Sequence, residues 1–255
     1  MNKDQRALAY VNMYAILGAI PTLISLVPEA KELVKTDKIT LGFRVKNGPA
    51  ASLVFSEGEC RLKEGTEGAN LLLPFGSPEK FNGMIDGTVT PIPSLPGLLR
   101  VGFLLKKFVP LTDLLTRYLR ASEEDLKNPE FFRASTHLML GVIGRAVAAL
   151  GNEDPVGRAS ASYIKDGKIH IGITGEVAVS LTAKSAHLSV DETAAPPEEC
   201  FSYMLFPDLT TARDLFDGRI NAVAAVGLGQ IRIGGMISQV DNVNRILDRV
   251  AYYLA

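Results

Sequence analysis

The sequence has no tryptophan, two cysteines and three histidines. Two cysteines cannot build a disulfide scaffold in a chain of 255 residues, and Cys60 and Cys200 lie at no metal-binding spacing, so a reducing, cytoplasmic setting is the simplest expectation. His137, His170 and His187 are too scattered to suggest a metal motif, and His170, alternating with Ile169 and Ile171, reads as a surface or internally satisfied histidine. Excess charge of either sign is lacking as well: 27 basic residues meet 28 acidic ones, and neither the first 127 residues nor the remainder is strongly basic. That excludes nucleic acid as an expected partner, because phosphate recognition needs clustered cations. The nucleophile elbow Gly-x-Ser-x-Gly, the phosphate loop Gly-x-x-x-x-Gly-Lys-Ser/Thr and the zinc motif His-Glu-x-x-His are all missing. Gly227-Leu-Gly229 lacks the third glycine of a dinucleotide fingerprint and leads into a strand-like run. No catalytic residue or metal site is therefore expected, and Cys200, beside Glu198 and Glu199, reads as a small apolar strand residue with a raised pKa.

What the chain has is apolar material, 47% of residues against 22% charged, enough for one core or two. Its longest uncharged stretch, residues 7–28, could span a membrane. Asp4 spoils the positive flank of a signal peptide, Tyr10, Asn12, Tyr14, Thr22 and Ser25 dilute the run, and Pro21 interrupts it. A buried helix that kinks or ends near Pro21 is the better expectation.

Self-comparison reveals a repeat. Phe75 to Gly87 lies over Phe206 to Gly218 at a constant offset of 131, each copy a capped amphipathic helix stopped by Asp-Gly, at Asp86-Gly87 and Asp217-Gly218. One residue is then added: Gly97-Leu-Leu-Arg100-Val101-Gly102 answers Gly229-Gln-Ile-Arg232-Ile233-Gly234, both read as short strands, and Leu111, Leu114 and Leu115 answer Val243, Ile246 and Leu247 on a last helix. Upstream, Thr40–Val45 and Ala51–Phe55 flank an Asn47-Gly48 turn, while Ala159–Ile164, Asp166-Gly167 and Ile169–Ile173 read as strand, turn, strand. The helix Tyr10–Leu26 corresponds to Thr136–Leu150, and the polar run 121–130 reads as a linker. The expectation is two halves, residues 1–125 and 126–255, within the usual domain range.

Asp217-Gly218, Gly229-Gln-Ile-Arg-Ile-Gly-Gly-Met236, Asp241 and Ile246-Leu247 resemble the C-terminal part of the sterol carrier protein type 2 family, and the first half resembles the same pattern more weakly. The resemblance implies an α+β fold of two tandem halves, each a mainly antiparallel sheet of about five strands covered by helices, packed as a pseudo-dimer. It also implies that a sterol, fatty acid, acyl chain or other apolar small molecule binds in a cavity, expected at about 300 to 500 Å³, without a cofactor or catalysis. Candidate lining residues are Leu215, Phe216, Val223, Val226, Ile231, Ile233, Met236, Ile246 and Val250. Arg232, and Arg100 at its equivalent, face away from apolar neighbours, toward solvent or toward a lipid headgroup. Asp86 and Asp217 are better explained as helix stops than as paired acid and base. Where the second half has Ala222-Val-Ala-Ala225, the first has Pro91, Pro93 and Pro96, which forbid a regular helix or central strand and would reshape or close its cavity. The rival expectation is a structural or interaction module that keeps the fold without the cavity; an enzyme acting on acyl substrates lacks any motif. Transient membrane contact and homo-oligomerisation stay open.

Overall fold

The computed structural model describes residues 3–254, and every side chain among them except that of Pro96; Met1, Asn2 and Ala255 of the expected halves lie outside the described residues. The chain divides into two compact units, Met1–Ala134 and Ser135–Ala255. The division falls inside a helix rather than in the polar run before it. That run is drawn into the first unit, because Asp125 accepts from Arg117 Nη2 at 2.6 Å and from Ser122 Oγ at 2.8 Å, and Asn128 Oδ1 then caps the next helix through Glu130 N–H and Phe131 N–H.

In the first unit, Asp4 opens α1 (Gln5–Tyr10) by accepting from the N–H groups of Arg6 and Ala7. The helical path continues through a π-wound turn at Val11–Ile16 and a 3-10 turn at Leu17–Ala19 into α2 (Ile20–Leu26). Pro21 has no N–H to offer the carbonyl of Leu17, and the altered winding lies immediately before it. Asn12 Nδ2 donates to Asn82 Oδ1 at 3.0 Å, and Asn82 Nδ2 donates to the Gln5 carbonyl at 2.9 Å, pinning this rod to the helix that carries Asn82. Then come α3 (Pro28–Leu33), β1 (Lys38–Val45), β2 (Ala50–Ser56), β3 (Glu59–Glu64), β4 (Leu71–Phe75) and α4 (Pro78–Ile85). The Asn47-Gly48 turn falls where expected and a second turn lies at Glu57-Gly58, with Asn47, Glu57 and Gly58 at positive φ. The sheet order is β3-β2-β1-β4, antiparallel except for the β1·β4 pair.

A fifth strand at residues 97–102 does not form. Leu95–Arg100 is a 3-10 helix, followed by α5 (Val101–Phe103), a π turn at Leu104–Phe108 and α6 (Val109–Leu119). Ser94 N–H does reach Leu72 O at 2.9 Å beside β4, but Pro93 and Pro96 carry no N–H with which to extend a ladder. Phe103 and Phe108 are instead buried, packing on Phe55 and Phe43 with centroid distances of 5.2 and 5.8 Å.

The second unit takes most of α7 (Pro129–Glu153), then α8 (Pro155–Ala161), β5 (Gly167–Ile173), β6 (Ala178–Lys184), β7 (His187–Val190), β8 (Ser202–Phe206), α9 (Leu209–Phe216), α10 (Ala222–Gly227), β9 (Arg232–Gly235) and α11 (Ile237–Leu254). Residues 159–164, expected as a strand, instead end α8 and leave it in a turn. Asp154 caps that helix through the N–H groups of Val156 and Gly157, and Pro155 presets its first turn. Gly167 starts β5 rather than making a hairpin; the β5–β6 hairpin turns at Thr174-Gly175-Glu176, with Gly175 at φ 74°, and the β6–β7 hairpin at Ser185-Ala186, both at positive φ.

The sheet order β7-β6-β5-β8-β9 repeats the first unit's pattern and adds one edge strand. In each unit the fourth strand lies parallel beside the first, with Val45 opposite Phe75 and Ile173 opposite Phe206. The fold is thus α+β, with sheets of four and five strands. By length and composition, Gln5–Leu26 and Pro129–Glu153 could each cross a membrane, yet 67% of each apolar window is buried inside the structure.

Candidate functional site

Five elements of the second unit, β8, α9, α10, β9 and α11, surround an apolar groove of about 250 Å³. Each is placed by a local device. Asp217-Gly218 ends α9, with Gly218 at φ 70°, and Asn221 Oδ1 accepts from Ala224 N–H to begin α10. Gly229, at φ 73°, stops α10, and the N–H groups of Gln230 and Ile231 return to the Ala225 carbonyl, turning the chain into β9. At the far end of β9, a Cβ on Gly235 would lie 2.1 Å from the Phe201 carbonyl oxygen, and φ is 82°, so only glycine fits. Buried Ser202 and Gln239 then fix the first turn of α11: Ser202 Oγ donates to Gln239 Oε1 at 2.7 Å, and Gln239 Nε2 donates to the Lys165 carbonyl at 2.7 Å.

Met204, Leu215, Ala222, Val223, Val226, Ile231 and Ile233 line the groove together with Ile237, Val240 and Leu247 of α11; Asp241 and Asn244 supply its polar edge. Five of the expected lining residues are therefore here: Leu215, Val223, Val226, Ile231 and Ile233. Four are elsewhere. Phe216 packs edge-on against Phe206. Met236 lies at the junction of β9 and α11, its N–H donating to Phe201 O at 2.9 Å. Ile246 and Val250 point into the core from the inner face of α11, and a Cβ on Gly151 would meet Ile246 at 3.4 Å. Helical spacing correctly marked these two as apolar, but could not say which side of α11 meets the groove and which the core. Arg232 is exposed and outside the lining. Sequence reasoning missed Met204, Ala222 and most of the α11 contribution; the three-and-four spacing of Ile237, Val240, Asn244 and Leu247 was the available signal.

The volume falls below the expected 300 to 500 Å³. The first unit has no equivalent strand at residues 97–102 to build such a groove, and Phe108, which takes the place of Val240 at the offset of 132, is turned into its core. Arg100 is exposed at the end of the 3-10 helix, its Nη1 donating to Asn70 O at 3.4 Å.

His170 is internally satisfied: it is buried, and its Nδ1 donates to Ala195 O at 2.8 Å. Burial pushes the Cys60 thiol up to about 12. Cys200 is also raised, chiefly by burial and only secondarily by Asp191, Glu199 and Glu198, and it follows a 3-10 turn rather than standing in a strand. Asp217 accepts from buried Arg213 Nε at 3.0 and 2.9 Å, a structural use at the end of α9, and Asp86 caps α4. Among the described residues no group of three or more His, Cys, Asp or Glu could hold a metal ion.

No protein-family model and no curated protein matches the chain. Among solved structures, it is similar to a ubiquinone synthesis protein, UbiJ-SCP2, at 15% identity and a TM-score of 0.34, over 45% of this chain and 93% of that one. It is likewise similar to the solution structure of a conserved hypothetical protein from Thermus thermophilus put forward as a sterol carrier protein, at 16% identity and a TM-score of 0.33, over 44% of this chain and 85% of that one.

Proposed function

We propose that this chain is a tandem pair of sterol-carrier-type halves in which the second unit binds the acyl chain or another apolar part of a lipid, without catalysis, in the cytoplasm. The observation that carries this reading is the groove between β9, α10 and α11, whose lining is aliphatic except for Asp241 and Asn244 at its edge. Its 250 Å³ is just under the roughly 300 Å³ at which ordinary ligand sites begin, so it accommodates part of a lipid unless α10 moves outward. Val223 and Ile237 are exposed at its mouth, and water contact there favours an apolar occupant. The shared strand order of the two units and the offset of 131 support the tandem arrangement.

The first unit favours a second reading for itself. With Phe103 and Phe108 buried where an open cavity would need space, it keeps the sheet and helices as a structural or interaction module.

Two measurements test the reading: displacement of a fluorescent fatty acid from the full chain, and mass spectrometry of an organic extract of the purified protein. Saturable displacement, or a stoichiometric lipid in the extract, is expected. Absence of both overturns it.

A further inference from the structure

The first unit carries an exposed apolar surface that the groove does not use. Ile92, Leu95, Leu98, Leu99, Leu105 and Val109 are all exposed, Leu95 to 83% and Leu99 to 90%. They come from one stretch of chain. Isolated exposed leucines are ordinary, but six large apolar side chains exposed within eighteen residues call for a partner.

The local structure explains why they point outward. A Cβ on buried Gly97 would be 3.0 Å from Leu71 and 3.2 Å from Pro93, so the 3-10 turn presses its glycine onto β4, and the flanking Leu95, Leu98 and Leu99 face solvent. Beyond it, Phe103, Leu104 and Phe108 are buried, while Leu105 and Lys106 between them are exposed. This segment is apolar on both faces, unlike the half-polar surface helix of an ordinary globular unit.

Its charge is one-sided. No Asp or Glu occurs between Asp86 and Asp113, whereas Arg100, Lys106 and Lys107 fall inside that interval. Lys107 lies 4.0 Å from Asp37, a distant contact; among the described residues Arg100 meets only the Asn70 carbonyl, at 3.4 Å. We propose that residues 92–109 dock the protein on an anionic lipid surface, the leucines entering the acyl boundary while Arg100 and Lys106 meet headgroup phosphates. Exposed leucines bordered by Arg100 and Lys106, with no acidic residue from 87 to 112, complement the negative charge of an anionic lipid interface. The proposal rests on the first unit's surface and is independent of lipid binding in the groove.

The test is co-sedimentation of the full chain with vesicles of phosphatidylcholine and phosphatidylglycerol in equal parts, against phosphatidylcholine alone. The protein should pellet with the anionic vesicles and much less with the neutral ones, and added salt should release it. Leu98→Ser/Leu99→Ser should lower partitioning roughly tenfold or more, and Arg100→Gln/Lys106→Gln about fivefold for each cation lost. All four side chains are exposed, so thermal melting should match the parent, and fatty-acid displacement from the groove should be retained. Vesicle binding absent from the parent, or unchanged in the leucine variant, overturns the proposal. So does a concentration-dependent dimer that the leucine variant abolishes without any vesicle binding, which would assign the patch to a second copy of the chain.

Discussion

Asp154 and Arg249, 95 residues apart, form a two-pronged ion pair in the second unit: Arg249 Nε donates to Asp154 Oδ1 at 3.0 Å and Nη2 to Oδ2 at 2.9 Å. The same carboxylate caps α8 and accepts from the Tyr253 hydroxyl at 3.0 Å. One buried group thereby holds the start of α8 and the last turns of α11, the helix that supplies Ile237, Val240, Asp241, Asn244 and Leu247 to the groove.

Removing one partner strands the other. Arg249→Ala should destabilise the second unit by about 3 kcal/mol, the usual cost of leaving a buried charge unpaired, read from the urea midpoint at neutral pH.

Acid should act through the same pair. Burial, the largest single influence, would raise the Asp154 carboxyl, but Arg249, Gly157 N–H and Tyr253 together hold it below its ordinary 3.8. A lowered folded-state pKa gives stability that is present above the unfolded value and lost as pH falls through the folded one. The parent should therefore lose stability below about pH 4 more steeply than Asp154→Asn. Parallel pH profiles of the two urea midpoints would contradict this.

Val240 stands where the first unit has Phe108, at the offset of 132. Val240→Phe should fill the groove from α11 and weaken fatty-acid binding roughly tenfold or more, at an overpacking cost of about 1 to 3 kcal/mol. Retained affinity would place the lipid elsewhere.

Gly235→Ala should be more damaging than its size suggests. Its φ of 82° and the 2.1 Å approach of a Cβ to Phe201 O combine backbone strain with a clash against backbone that cannot swing away. A loss of about 2 kcal/mol or more is expected, with β9 displaced and fatty-acid affinity reduced alongside the melting temperature.

Thiol chemistry should be slow in the folded protein. With Cys60 pushed up to about 12 from an ordinary 9.0, its thiolate at pH 8 is roughly a thousandfold rarer than that of an unperturbed cysteine. Labelling by a disulfide reagent should be correspondingly slow and should accelerate on unfolding.

Much of the architecture is legible in short-range signals. Asn47-Gly48 and Glu57-Gly58 announce the first unit's hairpins, and Asp86-Gly87 and Asp217-Gly218 announce equivalent helix ends, because left-handed backbone is chemically marked by Gly and Asn. The periodicity of Val243, Ile246 and Leu247 reads as one stripe, of which Val243 and Ile246 are buried and Leu247 lines the groove. Asp154-Pro155 is a helix start, and it outranks the strand-like look of residues 159–164. Ser185 and Ala186 make a hairpin turn without glycine, so nothing in their identity announced it. Arg100 and Arg232 look equivalent in sequence, yet only Arg232 stands on a strand, since Pro93 and Pro96 remove the N–H groups its counterpart would have needed.

By itself, then, the sequence determined the α+β class, the helix stops and the list of apolar residues from which any cavity would be made, all properties written in spacing and in local backbone preference. Only the tertiary structure decided that the groove belongs to β9, α10 and the outer face of α11, that Ile246 and Val250 serve the core instead, and that the first unit turns its leucines outward. Apolarity drives a side chain out of water but carries no address. Whether it reaches a core, a groove or an uncovered surface depends on what residues such as Gln239, Gly97 and Phe108, distant in sequence, bring against it.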